Sequence, residues 1–349
     1  MDVEKKLELA LSYPIQECVT QDELQELFEA KQKPRHYIGF EVSGALHVPA
    51  VFTCGKVIQN LQKAGVETTV LLADWHAVMN NKLGGDWDKI SKAAAYFEEA
   101  FKFHCPGVKI VRGSELYHNN DEYWKKVVEF SAKVTVARVT RCVGIMGRSE
   151  SEKLSAAQYL YPPMQAVDIH ELGSDIAHAG MDQRKVHMLA REVFPEMKWK
   201  KPIALHHHLQ PGLGEPVQAG EDKLEQVAAA KMSKSKPDSA LLIHDSEEEI
   251  KRKIAKAFCP QFGENNPVLE LSRLCFSYSD VIKEIQVNRP EKYGGNVSFA
   301  SYAELETAYS TGKLHAMDLK NGVASALNEL ISPIRKHFEK KKSLLEAFQ

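Results

Sequence analysis

Apolar residues at helix-like spacing mark residues 2–32, with Leu7 to Leu11 and then Leu24, Leu27 and Phe28 set among charges. The pattern then changes. Tyr37-Ile38-Gly39-Phe40 is a short apolar run between Pro34 and Ser43-Gly44, which predicts a buried strand ending in a turn. Val51 to Ala64 reads as helix, stopped by Gly65, and ETTVLLADWHA reads as a second strand. Strand, turn, helix and strand make a βαβ unit, which implies a parallel sheet.

The alternation continues. Residues 86–104 predict helix, VKIVRGSEL a third strand, and residues 120–147 helix without a long breaker. SAAQYLYPPMQAVDIHELG predicts a helix interrupted near Pro162-Pro163. SDIAHAGMDQRKVHMLAREVF goes from a short strand into a helix, and IALHHHLQPGL is a strand and loop. Residues 212–230 are rich in Gly, Pro, Gln and Ala and read as a mobile loop. Residues 246–349 carry helical patterns and little strand. The expected organisation is an α/β nucleotide fold over 1–238 and a helical domain over 239–349.

Composition narrows the classes. The chain has 349 residues, 45 Lys+Arg against 47 Asp+Glu, and 44% hydrophobic content. That is an ordinary globular composition, and about 150 residues per domain suggests two domains. No apolar run is long enough to span a membrane. The start, MDVEKKLELALSY, lacks a signal-peptide core, so a cytoplasmic location is expected. A net charge of -2 argues against coating nucleic acid through bulk charge, and leaves room for a local reader. Cys18, Cys54, Cys105, Cys142, Cys259 and Cys275 show no CxxC, so reduced thiols are expected. His206-His207-His208 do not suit a metal, because neighbours on a strand face opposite ways. A strand running into a loop is the better reading, and no metal site is expected.

Two segments carry chemistry. Lys231-Met232-Ser233-Lys234-Ser235 combines two cations, two hydroxyls and backbone amides after a Gly/Pro-rich stretch, which suits an anionic group whose charge changes during a reaction. His47, in SGALHVPA at a strand-to-helix turn, can donate to a phosphate, and Pro49 is acceptable in a first helical turn. Neither a GxGxxG nor a P-loop is present, so dehydrogenase and P-loop chemistry are not supported.

KMSKS matches the loop of class I aminoacyl-tRNA synthetases, and SGALHVPA resembles their HIGH motif. It departs from that motif at Pro49 and Ala50, where Gly and His are usual. With YIGFEVSGALHV, LLADWHAVMNNKLGGD, RVTRCVGIMGRSE, YPPMQAVDIHELG, GMDQRKVHMLARE, RPEKYGG and LHAMDLKNGVA, the chain resembles the tyrosyl-tRNA synthetases of archaeal and eukaryotic-cytosolic type from residue 37 to 324. The resemblance implies a Rossmann-like parallel sheet with an inserted connective segment, then a helical anticodon-binding domain. It implies homodimers through the insertion, here roughly 117–160. It implies tyrosine, ATP with Mg2+ as co-substrate, and tRNA-Tyr as partners, with no tightly bound cofactor.

A phenol needs a donor and an acceptor at a pocket floor, and Tyr37 with Asp168 suits it. In the resembling family the positions of Tyr161, Gln165 and Gln183 clamp the amino group with Glu41 close by, Gly39 lies on the same strand, and His76 lies beside the ring. Tyr293 and His315 match an aromatic and a histidine that sandwich the first anticodon base there, and Asp318 matches an acid that pairs with its edge. By itself Asp318 also suits a helix N-cap. A buried polar pair rejects phenylalanine by being left unpaired, so no editing domain is needed. The alternatives are tryptophanyl-tRNA synthetase, disfavoured because an indole N–H only donates, and an inactive paralogue acting as an RNA-binding module.

Overall fold

Tyr37, Ile38 and Phe40 lie on β2 (Arg35–Glu41), in the middle of a six-stranded sheet. The computed structural model describes residues 1–147, 153–216, 232, 239–261 and 265–348. The chain divides into two compact units. One holds Met1–Gly44, Val57–Leu209 and Ser343–Gln349, and the other Ala45–Lys56 with Gln210–Lys342.

In the first unit the strands are β1 (Ile15–Val19), β2, β3 (Glu67–Ala73), β4 (Lys109–Arg112), β5 (Ile176–Gly180) and β6 (Ile203–His207), in the order β1-β6-β5-β2-β3-β4. Five run parallel, and β1 adds an antiparallel edge against β6. The chain winds from β2 outward through β3 and β4, then returns to β5 on the other side. That reversal beside β2 is the switch point at which α/β sheets open a crevice at the carboxyl ends of their strands. The Rossmann-like sheet expected from sequence is therefore present.

Helices α1 (Val3–Leu11), α2 (Gln21–Ala30), α3 (Cys54–Lys63), α4 (Asp74–Met79), α5 (Trp87–His104), α6 (Gly113–Tyr117), α7 (Asp121–Ser131), α8 (Val136–Thr140), α9 (Ala156–Glu171) and α10 (Arg184–Val193) connect the strands. Thr20 and Ser155 start α2 and α9 with capping boxes to Glu23 and Gln158.

Four helix and strand expectations need correction. Residues 2–32 are not one helix: Pro14 restricts the residue before it, and Ile15–Val19 pairs with β6. VKIVRGSEL stops being strand at Arg112 and opens α6. Residues 120–147 break after Ser131, where Thr135 caps a new helix by accepting from the Arg138 amide. Conversely α9 runs unbroken through Pro162-Pro163, both buried, so packing along the helix outweighs the lost amide donors.

Histidines tie the sheet together. His36, His178 and His207 form a buried line across β2, β5 and β6, with ring nitrogens 3.2 and 2.8 Å apart. His206 faces the other way, 3.0 Å from His187 of α10 and 2.7 Å from the Glu17 carboxylate on β1. His206 and His207 thus belong to the sheet core, so the loop expected at that triplet begins only after them.

In the second unit, α11 (Glu247–Lys256), α12 (Pro267–Ser277), α13 (Tyr302–Ser310) and α14 (Ala316–Glu339) surround a short hairpin of β7 (Ile285–Val287) and β8 (Val297–Phe299). Lys253 is buried beside Asp245, at 2.7 Å. Residues 217–230 of the expected mobile loop lie outside the described residues. Among the described residues, no helix is long and apolar enough to cross a membrane.

Burial lowers His36 and His76 to about 3 and His104 to about 4. These rings stay neutral when folded and take up protons on unfolding below about 6.5, so the unfolded state binds more protons as pH falls. Stability should be full above that pH and fall by roughly 1.4 kcal/mol per histidine per pH unit below it. Urea melts at pH 7.5, 6.5 and 5.5 test this, and an unchanged midpoint would contradict it.

Candidate active site

Helix α9 presents Tyr161, Gln165 and Asp168 at positions i, i+4 and i+7, so all three share one face. Asp168 is fully buried. Its Oδ1 accepts from the Tyr123 hydroxyl at 2.8 Å and its Oδ2 from the Tyr117 hydroxyl at 3.0 Å. Burial pushes its carboxyl up to about 8, and the two phenol hydrogen bonds pull the other way. Tyr37, 2% exposed on β2, feels the same charge: burial and then Asp168 raise its phenol above the ordinary range. Tyr37 and Asp168 are therefore close enough for the charge of one to act on the other.

Sequence reasoning missed two floor residues. Tyr117 and Tyr123 fall within the roughly 117–160 stretch that the resemblance assigns to a dimer-forming insertion, so neither is expected beside Asp168. The density of aromatics in ELYHNNDEYW is the available signal.

The opposite end of the pocket is built on β2 and α4. Glu41 accepts from Asn80 Nδ2 at 2.8 Å and pairs with Lys82 Nζ at 3.2 Å. Burial raises its carboxyl while Lys82 draws it down. Burial and then the Glu41 charge raise the Tyr161 phenol. Gln165 Nε2 donates to Gln183 Oε1 at 3.2 Å, while Gln165 Oε1, buried, has no hydrogen-bond partner among the described residues. The His76 ring stands edge-on to Tyr161 at 4.4 Å, with Nε2 stopping 3.9 Å from Asp168 Oδ2. Burial keeps that ring neutral. Gly39 is demanded by its neighbour: a Cβ there would lie 2.7 Å from the Tyr37 hydroxyl.

The result is a group of buried side chains with phenols and Asp168 at one end, and the Glu41 carboxyl and the Gln165 amide oxygen at the other.

In the second unit, the His47 segment pairs with residues 241–243: the Val48 amide donates to Leu241 O at 2.8 Å. His47 Nδ1 accepts from the Ala50 amide at 3.0 Å. Nδ1 therefore carries no proton, and a neutral ring holds its proton on Nε2 as a donor. Met232 is buried, and its amide donates to Gln210 O at 3.1 Å. Lys231, Ser233, Lys234 and Ser235 lie outside the described residues.

Tyr293 is 63% exposed at the end of a short 3₁₀ turn. His315, not Asp318, is the N-cap of α14: its Nδ1 accepts from the Met317 amide at 3.2 Å. Asp318 sits in the first turn, 3.8 Å from Arg289. Arg289 also donates from Nε to Gly295 O at 2.8 Å, so it holds the Tyr293 turn beside the start of α14. It is a further organising residue that sequence reasoning missed, although it opens RPEKYGG.

A family model described as tRNA synthetases class I (W and Y) matches residues 29–332. The tyrosine–tRNA ligase of Thermococcus sibiricus is 44% identical, covering 99% of this chain and 98% of that relative. That of Pyrobaculum arsenaticum is also 44% identical, covering 97% and 95%. Tyrosyl-tRNA synthetase of Pyrococcus horikoshii, solved in complex with L-tyrosine, superposes with a TM-score of 0.92 at 42% identity, covering 100% of this chain and 99% of that one. Tryptophanyl-tRNA synthetase of Plasmodium falciparum, at 18% identity and a TM-score of 0.66, shares the fold. A match to the family model over residues 29–332 and a full-length likeness to tyrosine–tRNA ligases make this chain a member of the tyrosyl-tRNA synthetase family within the class I aminoacyl-tRNA synthetases.

Proposed function

We propose that the side chains gathered around α9 bind the side chain of tyrosine during tyrosine–tRNA ligation. The observation that carries this reading is the fully buried Asp168 acceptor facing the Tyr37 phenol. Tyrosine's hydroxyl donates to Asp168 and accepts from Tyr37. Its ammonium meets Gln165 Oε1, Tyr161 and Gln183, with Glu41 supplying negative charge. His76 stays neutral and packs beside the ring, and Gly39 leaves room for Tyr37.

In the first step the tyrosine carboxylate attacks the α-phosphorus of ATP, which enters with Mg2+. A carboxylate–phosphorus bond forms, the bond to the β-phosphate bridging oxygen breaks, and pyrophosphate leaves with the displaced charge. No side chain has to act as general base, because the nucleophile is already ionised. The protein's work is orientation and charge neutralisation. His47 Nε2–H, Lys231, Ser233, Lys234 and Ser235 are assigned to the phosphates. In the second step a ribose hydroxyl at the 3′ end of tRNA-Tyr attacks the acyl carbon, and AMP leaves.

Residues 239–349 are assigned to the anticodon, with Tyr293 and His315 stacking on a base and Asp318 reading its edge. The exposure of Tyr293 supports this, since a buried ring could not stack on RNA. A second copy of the chain is assigned to the 117–160 segment, where Val128 and Val136 are each 68% exposed. The reaction's setting is the cytoplasm.

Amino-acid-dependent ATP–pyrophosphate exchange should respond to tyrosine. Exchange with tryptophan alone would overturn the reading, and no exchange from folded protein would favour the inactive paralogue. Asp168→Ala should cost at least about tenfold in discrimination between tyrosine and phenylalanine, the weight of one buried hydrogen bond to a charged group. Retained discrimination would remove Asp168 from the pocket. Tyr293→Ala should raise the KM for tRNA about tenfold or more, as loss of one stacked base implies, and leave pyrophosphate exchange untouched. An unchanged KM for tRNA would remove Tyr293 from the RNA surface.

A further inference from the structure

Asp168 is held from two sides before any substrate phenol reaches it. Tyr117 ends α6 and Tyr123 lies on α7, and each hydroxyl donates to a different carboxylate oxygen, at 3.0 and 2.8 Å. Each oxygen has two lone pairs, so one remains on each for a further donor. The hydroxyls are fixed by the packing of their rings. Tyr117 and Tyr123 lie with centroids 4.6 Å apart, Trp75 and Trp124 stand edge-on to Tyr117 at 5.7 and 6.1 Å, and Trp124 Nε1 donates to Tyr117 O at 3.2 Å. Gly113 completes the socket: a Cβ there would lie 2.9 Å from the Tyr117 ring and 2.7 Å from Asp74 Oδ1.

We propose that Tyr117 and Tyr123 are positioning residues that hold Asp168 as a hydrogen-bond acceptor and so set the preference for a phenol over a bare phenyl ring. The proposal rests on the tyrosine-pocket reading above. Packing alone would be served as well by phenylalanine at both positions. A buried hydroxyl is costly unless paired, and these two are paired with the carboxylate whose state decides selectivity. The groups facing that carboxylate are Tyr37 on β2, neutral His76 and Asp74 on α4, Glu171 on its own helix, and the two phenols. Burial, Glu171 and Asp74 drive the carboxyl upward, and Tyr123 and Tyr117 draw it down through their hydrogen bonds. A protonated Asp168 would be a poorer acceptor and would cost less to leave unpaired against phenylalanine.

The test measures ATP–pyrophosphate exchange with tyrosine and with phenylalanine from pH 6.5 to 9, for the full chain, Tyr117→Phe, Tyr123→Phe and the double variant. The double variant should keep kcat at saturating tyrosine. Its KM for tyrosine at pH 7 should rise about tenfold, as expected when the carboxyl titrates about one pH unit higher, and return toward the parent value as pH rises. Discrimination against phenylalanine should follow the same course. A folded double variant with the parent's pH profile would overturn the proposal, as would a KM raised equally at every pH, which is the mark of packing alone. If the double variant fails to fold, the single variants carry the same comparison. Asp168→Ala separates the two levels. Lost selectivity there, with unmoved pH profiles in the phenylalanine variants, leaves the pocket standing and removes the positioning role, whereas retained selectivity removes the pocket itself.

Discussion

A carboxylate is costly to bury, and Asp168 is buried completely. Much of the first unit's geometry answers that cost. The partners must come from elements that reach the middle of α9, and they are hydroxyls rather than cations, which leaves acceptor capacity unspent. Phenols are suited to this because the ring buries apolar area while the oxygen carries one hydrogen bond. Three tyrosines on three elements therefore converge on one acid, and the tryptophans around them make the hydroxyl positions a property of the core rather than of loops.

Another buried acid of this unit is also paired: Asp175, 3% exposed, meets Lys31 and Lys200. Within the sheet, His36, His178 and His207 meet across β2, β5 and β6. Charge appears at the edge, where Glu17 on β1 meets His206 and Arg184. The antiparallel strand thus contributes more than backbone pairing, because it brings the acid that partners one face of β6. Arg184 follows Gln183 directly, so this edge also fixes the residue next to the pocket.

The strands at the switch point and the run that forms most of the helix carrying Tyr161, Gln165 and Asp168 are legible in the sequence, because they lie in contiguous runs with clear periodicity, whereas the roles proposed for these side chains come from the family resemblance. What is not legible is set by distant partners. Ile15–Val19 reads as helix continuation until β6 is there to pair with it. The two prolines of α9 look like breakers until the burial around them is known. Tyr117 and Tyr123 look like surface aromatics until Asp168, some 45 residues further on, is folded against them. Asp318 reads as a cap by residue type, yet His315 holds that place because the helix begins three residues earlier.

Gly39 links two positions that any redesign of the pocket would treat as separate. The space its missing side chain leaves is filled by the Tyr37 hydroxyl. A side chain at residue 39 therefore requires the Tyr37 hydroxyl to shift or to be removed, and shortening residue 37 opens room at 39. The two positions form one adjustable wall.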